Sequence, residues 1–71
     1  MDNDLAHILN SIPSTDDWAL SATMVQIAGA DYSRLSPEAI DALQTIQSCI
    51  LAEMGERVAR AYIEKHGPLT H

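Results

Sequence analysis

The sequence predicts an all-α protein, in which two short N-terminal helices precede one long amphipathic C-terminal helix. Three observations predict this fold class. Apolar residues recur every three or four positions, and prolines and glycines separate these segments. The apolar residues are mostly aliphatic, with one Trp, two Tyr and no Phe. Such side chains suit helix packing better than sheet packing.

The first helix is predicted over about residues 3–11. Leu5, Leu9 and Ile12 follow one another at spacings of four and three, which places them on one helical face. Pro13 ends the helix, because a proline pushes the preceding residue out of the α region.

The second helix is predicted over about residues 16–28, with Ser14 or Thr15 as its cap and Gly29 as its stop. Its apolar residues surround much of the helix, so we expect it to be sandwiched between neighbours. One stripe contains Trp18, Ala22 and Val25, and a second lies beside it with Leu20, Met24 and Ile27.

The third helix is predicted over residues 37–66, with Ser36 as its cap, Pro37 at its first position and Gly67-Pro68 at its end. At about 1.5 Å per residue it is roughly 45 Å long. A compact chain of this length has a radius of gyration of only about 11 Å. The helix must therefore bend near Gly55, or its overhang must be covered by another chain.

A continuous helix is the favoured alternative, because its apolar stripe runs on without a break through position 55. Charge pairs predicted at Glu53–Arg57 and Glu56–Arg60 support helix on both sides of Gly55. Gly55 and Ala59 also form a small-xxx-small pair, which lets two helices approach closely; an incidental glycine is the alternative. The stripe consists of Ile40, Leu43, Ile46, Ile50, Met54, Val58, Ala61 and Tyr62.

The 71 residues predict one small domain, 1–71. A single core of this size supplies only about 3–5 kcal/mol, so small folds need reinforcement. Cys49 is the only cysteine, which excludes an internal disulfide. We therefore expect a dimeric helical bundle in which the third helices pack together.

The net charge of −6 is unevenly distributed. Residues 1–33 contain five Asp and no Lys or Arg, whereas the remainder is nearly balanced. This acidic half repels phosphate, so the charge argues against binding to nucleic acid or to an anionic membrane. The chain has no apolar run near 20 residues and begins with an acidic segment, which predicts a cytoplasmic protein.

No catalytic, cofactor-binding or metal site is expected. No convergent set of ligands surrounds His7, His66 or His71, since His7 has only Asp4 nearby. The apolar neighbours of Cys49 do not activate a thiol. The serines are best explained as helix caps. A minimal enzyme or carrier that uses Ser33 or Cys49 is the least favoured hypothesis.

The sequence instead favours a small acidic module for protein–protein interaction. We expect a homodimer that inhibits, sequesters or scaffolds a larger protein with a basic or apolar groove, as a phage or bacterial regulator does. Two alternatives remain: a non-catalytic accessory subunit of a larger assembly, and an acidic mimic of nucleic acid.

Seven residues are predicted at the protein interface, chosen as aromatic anchors or as members of the third-helix stripe. Trp18 can also be explained, more simply, as the plug of a small helical core. Tyr32 is the best candidate for an exposed contact. The predicted interface residues are Trp18, Tyr32, Ile50, Met54, Gly55, Val58 and Tyr62.

Overall fold

The structure, a computed structural model, describes residues 2–67. Its three helices are α1 (Asp2–Ser11), α2 (Asp17–Ala28) and α3 (Pro37–His66). Short 3₁₀ turns at Ile12–Ser14 and Tyr32–Arg34 connect them, and the described part of the chain contains no strand. The predicted all-α class, with two short helices before a long one, is confirmed.

The start of α2 differs from the prediction. The side chain of Asp16 is the cap, and its Oδ1 accepts a hydrogen bond from the backbone N of Ala19 at 2.7 Å. The hydroxyls of Ser14 and Thr15 donate backwards to the carbonyl of Ser11 instead. They bind the carbonyl of the residue that ends α1 and begins the following 3₁₀ turn, so the predicted capping of α2 by Ser14 or Thr15 is wrong.

Helix α3 begins and ends where the sequence predicts. The Ser36 hydroxyl accepts from the backbone N of Ala39, and Pro37 occupies the first turn. At the other end Gly67 has a φ of +83° and donates from its N to the carbonyl of Ile63. This left-handed conformation is one that glycine adopts without a steric penalty. Pro68 and His71 lie outside the described residues.

The core lies where α1 and α2 pack across the N-terminal two-thirds of α3. Within α2, Leu20 and Ile27 are seven residues apart and point to the same side, toward α3. The expectation that α2 is sandwiched between neighbours is wrong, since its opposite face is open. The buried core residues are Ile12, Leu20, Ile27, Ile46 and Ile50.

Helix α3 is continuous through Gly55 and extends beyond this core. The molecule measures 50 × 24 × 22 Å and has a radius of gyration of 14.9 Å. A compact chain of 71 residues has about 11 Å. The radius of gyration is larger because α3 is longer than the two short helices can cover.

Candidate interaction surface

The C-terminal third of α3 is without cover from its own chain. Arg57 is the last half-buried residue of the helix, and every residue from Val58 to His66 is exposed. This overhang is nine residues, or about 14 Å, long. Val58 is 70% exposed, and Tyr62 and Ile63 are also among the exposed large apolar side chains.

A second apolar face of α3 lies beside the core face. Leu51, Gly55, Val58 and Tyr62 follow one another at spacings of four, three and four, which is the repeat of a helix-pairing seam. We call these four residues the α3 seam. All four are exposed, and a Cβ placed on Gly55 would meet no atom within 4 Å. The seam therefore offers space for the close approach of another helix.

A cavity of about 250 Å³ lies between the start of α2 and the α3 seam. Because Met54 and Val58 contribute to its wall, it joins the chain's own core to the exposed seam. Its lining residues are Asp17, Met54, Arg57, Val58 and Ala61.

At this cavity Arg57 joins α3 to the start of α2 and to the turn that precedes it. Its Nε donates to Oε2 of Glu53 at 2.8 Å, and its Nη1 donates to Oδ1 of Asp17 at 2.6 Å. Its Nη2 points at three backbone carbonyls, those of Ile12, Pro13 and Thr15. We call this arrangement the Arg57 clasp. It supplies donors to three carbonyls at the corner between α1 and α2, of which that of Ile12 also accepts from the backbone N of Thr15.

The clasp also favours the charged form of Arg57. Its hydrogen bond to Asp17, followed by that to Glu53, raises the pKa of the guanidinium above its ordinary value. The predicted pair Glu56–Arg60 does not form among the described residues. Arg60 reaches Oε2 of Glu53 at 3.3 Å instead, so Glu53 bridges the two arginines.

The outer face of α2 is the other uncovered apolar surface. Trp18 is 80% exposed and Val25 is 72% exposed. They are seven residues apart, so they lie on the same side of the helix, and the small side chains of Ser21 and Ala22 stand between them. We call this the α2 outer face. The explanation of Trp18 as a core plug is therefore wrong, because Leu20 and Ile27 fill the core from this helix.

A further cavity, of about 220 Å³, opens at the opposite end of the core. Its polar side chains are Thr23 and Gln26, and the Thr23 hydroxyl already donates to the carbonyl of Ala19. This apolar space contains no ionisable group that could act on a substrate. Its lining residues are Ile8, Thr23, Gln26, Ile27, Ala30, Leu43 and Ile46.

The structure separates the seven predicted interface residues into two groups. Trp18, Gly55, Val58 and Tyr62 are exposed, and Met54 is half-buried in the wall of the cavity beside the seam. These five remain available as predicted contacts.

The other two residues require correction. Ile50 is 1% exposed and completes the chain's own core, so its side chain is not accessible to a partner. Tyr32 is half-buried rather than exposed; it packs against the core, and its hydroxyl donates to the carbonyl of Ile27 at 2.7 Å. Sequence reasoning missed the tertiary role of Arg57, and its only sequence signal was the local spacing from Glu53.

The described residues bring together no cluster of three His, Cys, Asp or Glu side chains that could hold a metal ion. Cys49 is half-buried and packs against the core. The Ser33 hydroxyl donates to Oδ1 of Asp31 at 2.6 Å. Within residues 2–67, no helix combines the length and the apolar character that crossing a membrane requires.

Comparisons of the chain with protein-family models, with curated proteins and with solved structures found no match.

Proposed function

We propose that this protein is a protein–protein interaction module that pairs with a second copy of itself through α3 and, as a dimer, binds and modulates a larger protein. The observation that carries this proposal is the uncovered α3 seam, which runs from the middle of α3 into its overhang. A surface of this kind is stabilised by removal from water, at about 1.5–3 kcal/mol for each large aliphatic side chain that becomes fully buried.

The surface area supports association. The chain exposes 5597 Å², whereas a monomeric globular protein of 7.7 kDa exposes about 4,300 Å². The excess is about 1,300 Å². A stable interface takes about 800 Å² from each partner, so the excess is large enough to supply one side of it.

The distribution of charge favours a second copy as the occupant of the α3 seam. Between Leu51 and His66 the helix carries three Glu against two Arg and one Lys, so this segment is neutral in a chain of charge −6. Two such segments do not repel each other. The acidic residues that would repel a copy lie mainly in α1, in α2 and in the turns beside them.

The acidic N-terminal half supports the second part of the proposal. It faces outward with no Lys or Arg of its own, so it is attracted to a partner with a basic surface. A dimer presents two such surfaces. Binding of this kind can inhibit, sequester or scaffold the partner, and we favour a regulator of a larger protein.

Two measurements on the isolated chain test the proposal. Sedimentation velocity at tens of micromolar should show a dimer that dissociates on dilution, and circular dichroism should show one cooperative melt whose midpoint rises with concentration. A strict monomer throughout this range contradicts the pairing. Weak helicity without a cooperative melt supports instead an accessory subunit that folds only within a larger assembly.

A further inference from the structure

We propose that the α2 outer face is a docking site for a basic amphipathic helix of another protein. The inference rests on the proposed role as a protein-binding module, whose partner it assigns to a chemical class, but it does not depend on pairing through α3. Trp18 and Val25 are the most exposed large apolar side chains of the described residues.

The shape of this face fits a helix. The apolar residues stand at two positions seven residues apart, and the residues between them on this side, Ser21 and Ala22, have small side chains. An amphipathic helix uses the complementary pattern, with apolar side chains at i, i+3 or i+4, and i+7. The 12-residue helix α2 is about 18 Å long, which matches about three turns of such a partner.

The charges of the face select a basic partner. No charged residue lies between Trp18 and Ala30, but carboxylates stand at both ends, from Asp16 and Asp17 at one and Asp31 at the other. The cations that reach them are Arg57, which pairs with Asp17, and Arg34, which pairs with Asp31. Both pairs leave the end carboxylates on the surface, and Asp17 is still 76% exposed.

The same charges disfavour a second copy on this face. The ends of the face carry three Asp against the two Arg that pair with them, so two identical faces that met about a two-fold axis would bring a net negative charge on each copy against the other. Like charges that face each other across an interface are unfavourable. A helix with an apolar stripe and Lys or Arg at both ends has the opposite pattern, and a cation can also stack on the indole of Trp18.

The single tryptophan makes the site directly observable, because all tryptophan fluorescence comes from Trp18. The probe is a tryptophan-free helical peptide of about the length of α2, with a leucine stripe and lysines at both ends. Titration into the full chain should shift the Trp18 emission to the blue and saturate at one peptide per chain. A peptide with glutamates in place of the lysines, and a scrambled lysine peptide without a stripe, should not bind.

Variants of the chain then test which face is used, with fluorescently labelled peptide as the readout. Trp18→Ala should weaken binding about 10–30-fold, as loss of an interface anchor does. Ile63→Ala, at an exposed apolar residue of α3, is the matched control and should bind as the unchanged chain does. Each variant should keep the helicity and melting temperature of the parent, since both side chains are on the surface.

Three outcomes overturn the inference. The first is that the scrambled peptide binds as tightly as the designed one, and the second is that Trp18→Ala leaves the affinity unchanged. Either result reduces the binding to general attraction between opposite charges. The third is that the Trp18 emission already shifts to the blue when the chain alone is concentrated, which would show that a second copy covers this face. Sedimentation reports pairing through α3 separately, so failure of one proposal is distinguishable from failure of the other.

Discussion

The guanidinium of Arg57, in the C-terminal half of α3, lies 2.6 Å from the carboxylate of Asp17, forty residues earlier in the chain. This contact joins α3 to the first turn of α2. The remaining donors of Arg57 reach Glu53 and the backbone corner before α2, so one side chain connects three parts of the fold. It also marks the point along α3 at which coverage by the chain itself ends.

Replacement of Arg57 should lower the stability of the fold. Arg57→Met removes the donors for two carboxylates and for the carbonyls of the α1–α2 corner, and it leaves the half-buried Glu53 with only Arg60 as a cationic partner. Thermal melts by circular dichroism should show a clear fall in midpoint. The midpoint of Arg57→Lys should lie between those of the unchanged chain and Arg57→Met, because an ammonium keeps the charge but lacks the planar fork of donors. Arg60→Met, which removes a single 3.3 Å contact, is the control and should change little.

The pH dependence of this contribution follows from the raised pKa of Arg57. A group whose pKa is raised by folding stabilises the fold at every pH below its unfolded pKa, and that stabilisation is lost as pH rises through the folded value. For an arginine this window lies at strongly alkaline pH. The difference in midpoint between the unchanged chain and Arg57→Met should therefore stay constant from neutral to moderately alkaline pH. A difference that disappears in that range would show that deprotonation of Arg57 is not what controls the clasp.

Ile50 should behave as a core residue and not as an interface residue. Ile50→Val should reduce the free energy of unfolding by about 0.5–1.5 kcal/mol, because it removes one methylene from a buried site. Self-association measured by sedimentation should be unchanged once the variant is folded. Ile63→Val, at an exposed position, should cost much less. An Ile50→Val chain of full stability but weaker pairing would reverse this assignment.

The hydroxyl of Tyr32 should contribute about 1 kcal/mol through its hydrogen bond to the carbonyl of Ile27. Tyr32→Phe leaves that bond unmade and should lower the melting midpoint. Tyr62→Phe removes a hydroxyl from an exposed ring in the overhang and should have almost no effect on stability. Equal effects of the two changes would mean that the Tyr32 bond is offset by water in the unfolded chain.

Gly55→Ala should separate helix propensity from pairing. The added methyl meets no atom of its own chain, and alanine favours a helix over glycine by about 1 kcal/mol, so the dilute monomer should become more stable. If two seams cross at this position, the methyl also keeps the helices apart and the dissociation constant should rise. Dilution series of sedimentation and of melting midpoints give the two effects separately. Tighter pairing in this variant would show that the two α3 helices cross at a position other than Gly55.

A charged side chain in the α3 seam should abolish dimerisation and leave the fold of the chain unchanged. Val58→Glu places a carboxylate at the centre of the proposed contact, where a second copy would bury it without a partner. Sedimentation should then show a monomer at tens of micromolar, with parental helicity. Ile63→Glu is the matched control, since Ile63 is exposed on the same helix but five residues on, which turns it away from Val58. Equal effects of the two changes would show that the overhang self-associates non-specifically and not through the α3 seam.

The sequence alone determined the helices, because the signals that begin and end them are local. Ser36-Pro37 and Gly67 act within one turn of the chain, and an uninterrupted apolar period carried α3 through Gly55. The length of α3 also implied that it would outgrow its own core. Only tertiary structure decided which apolar face each helix buries, since α2 and α3 each carry more than one. The packing of α1 and α2 against Ile46 and Ile50 left Trp18 and Val58 outside, and it brought Asp17 to Arg57. Contacts between residues forty positions apart depend on how the helices pack together, and no local pattern encodes that arrangement.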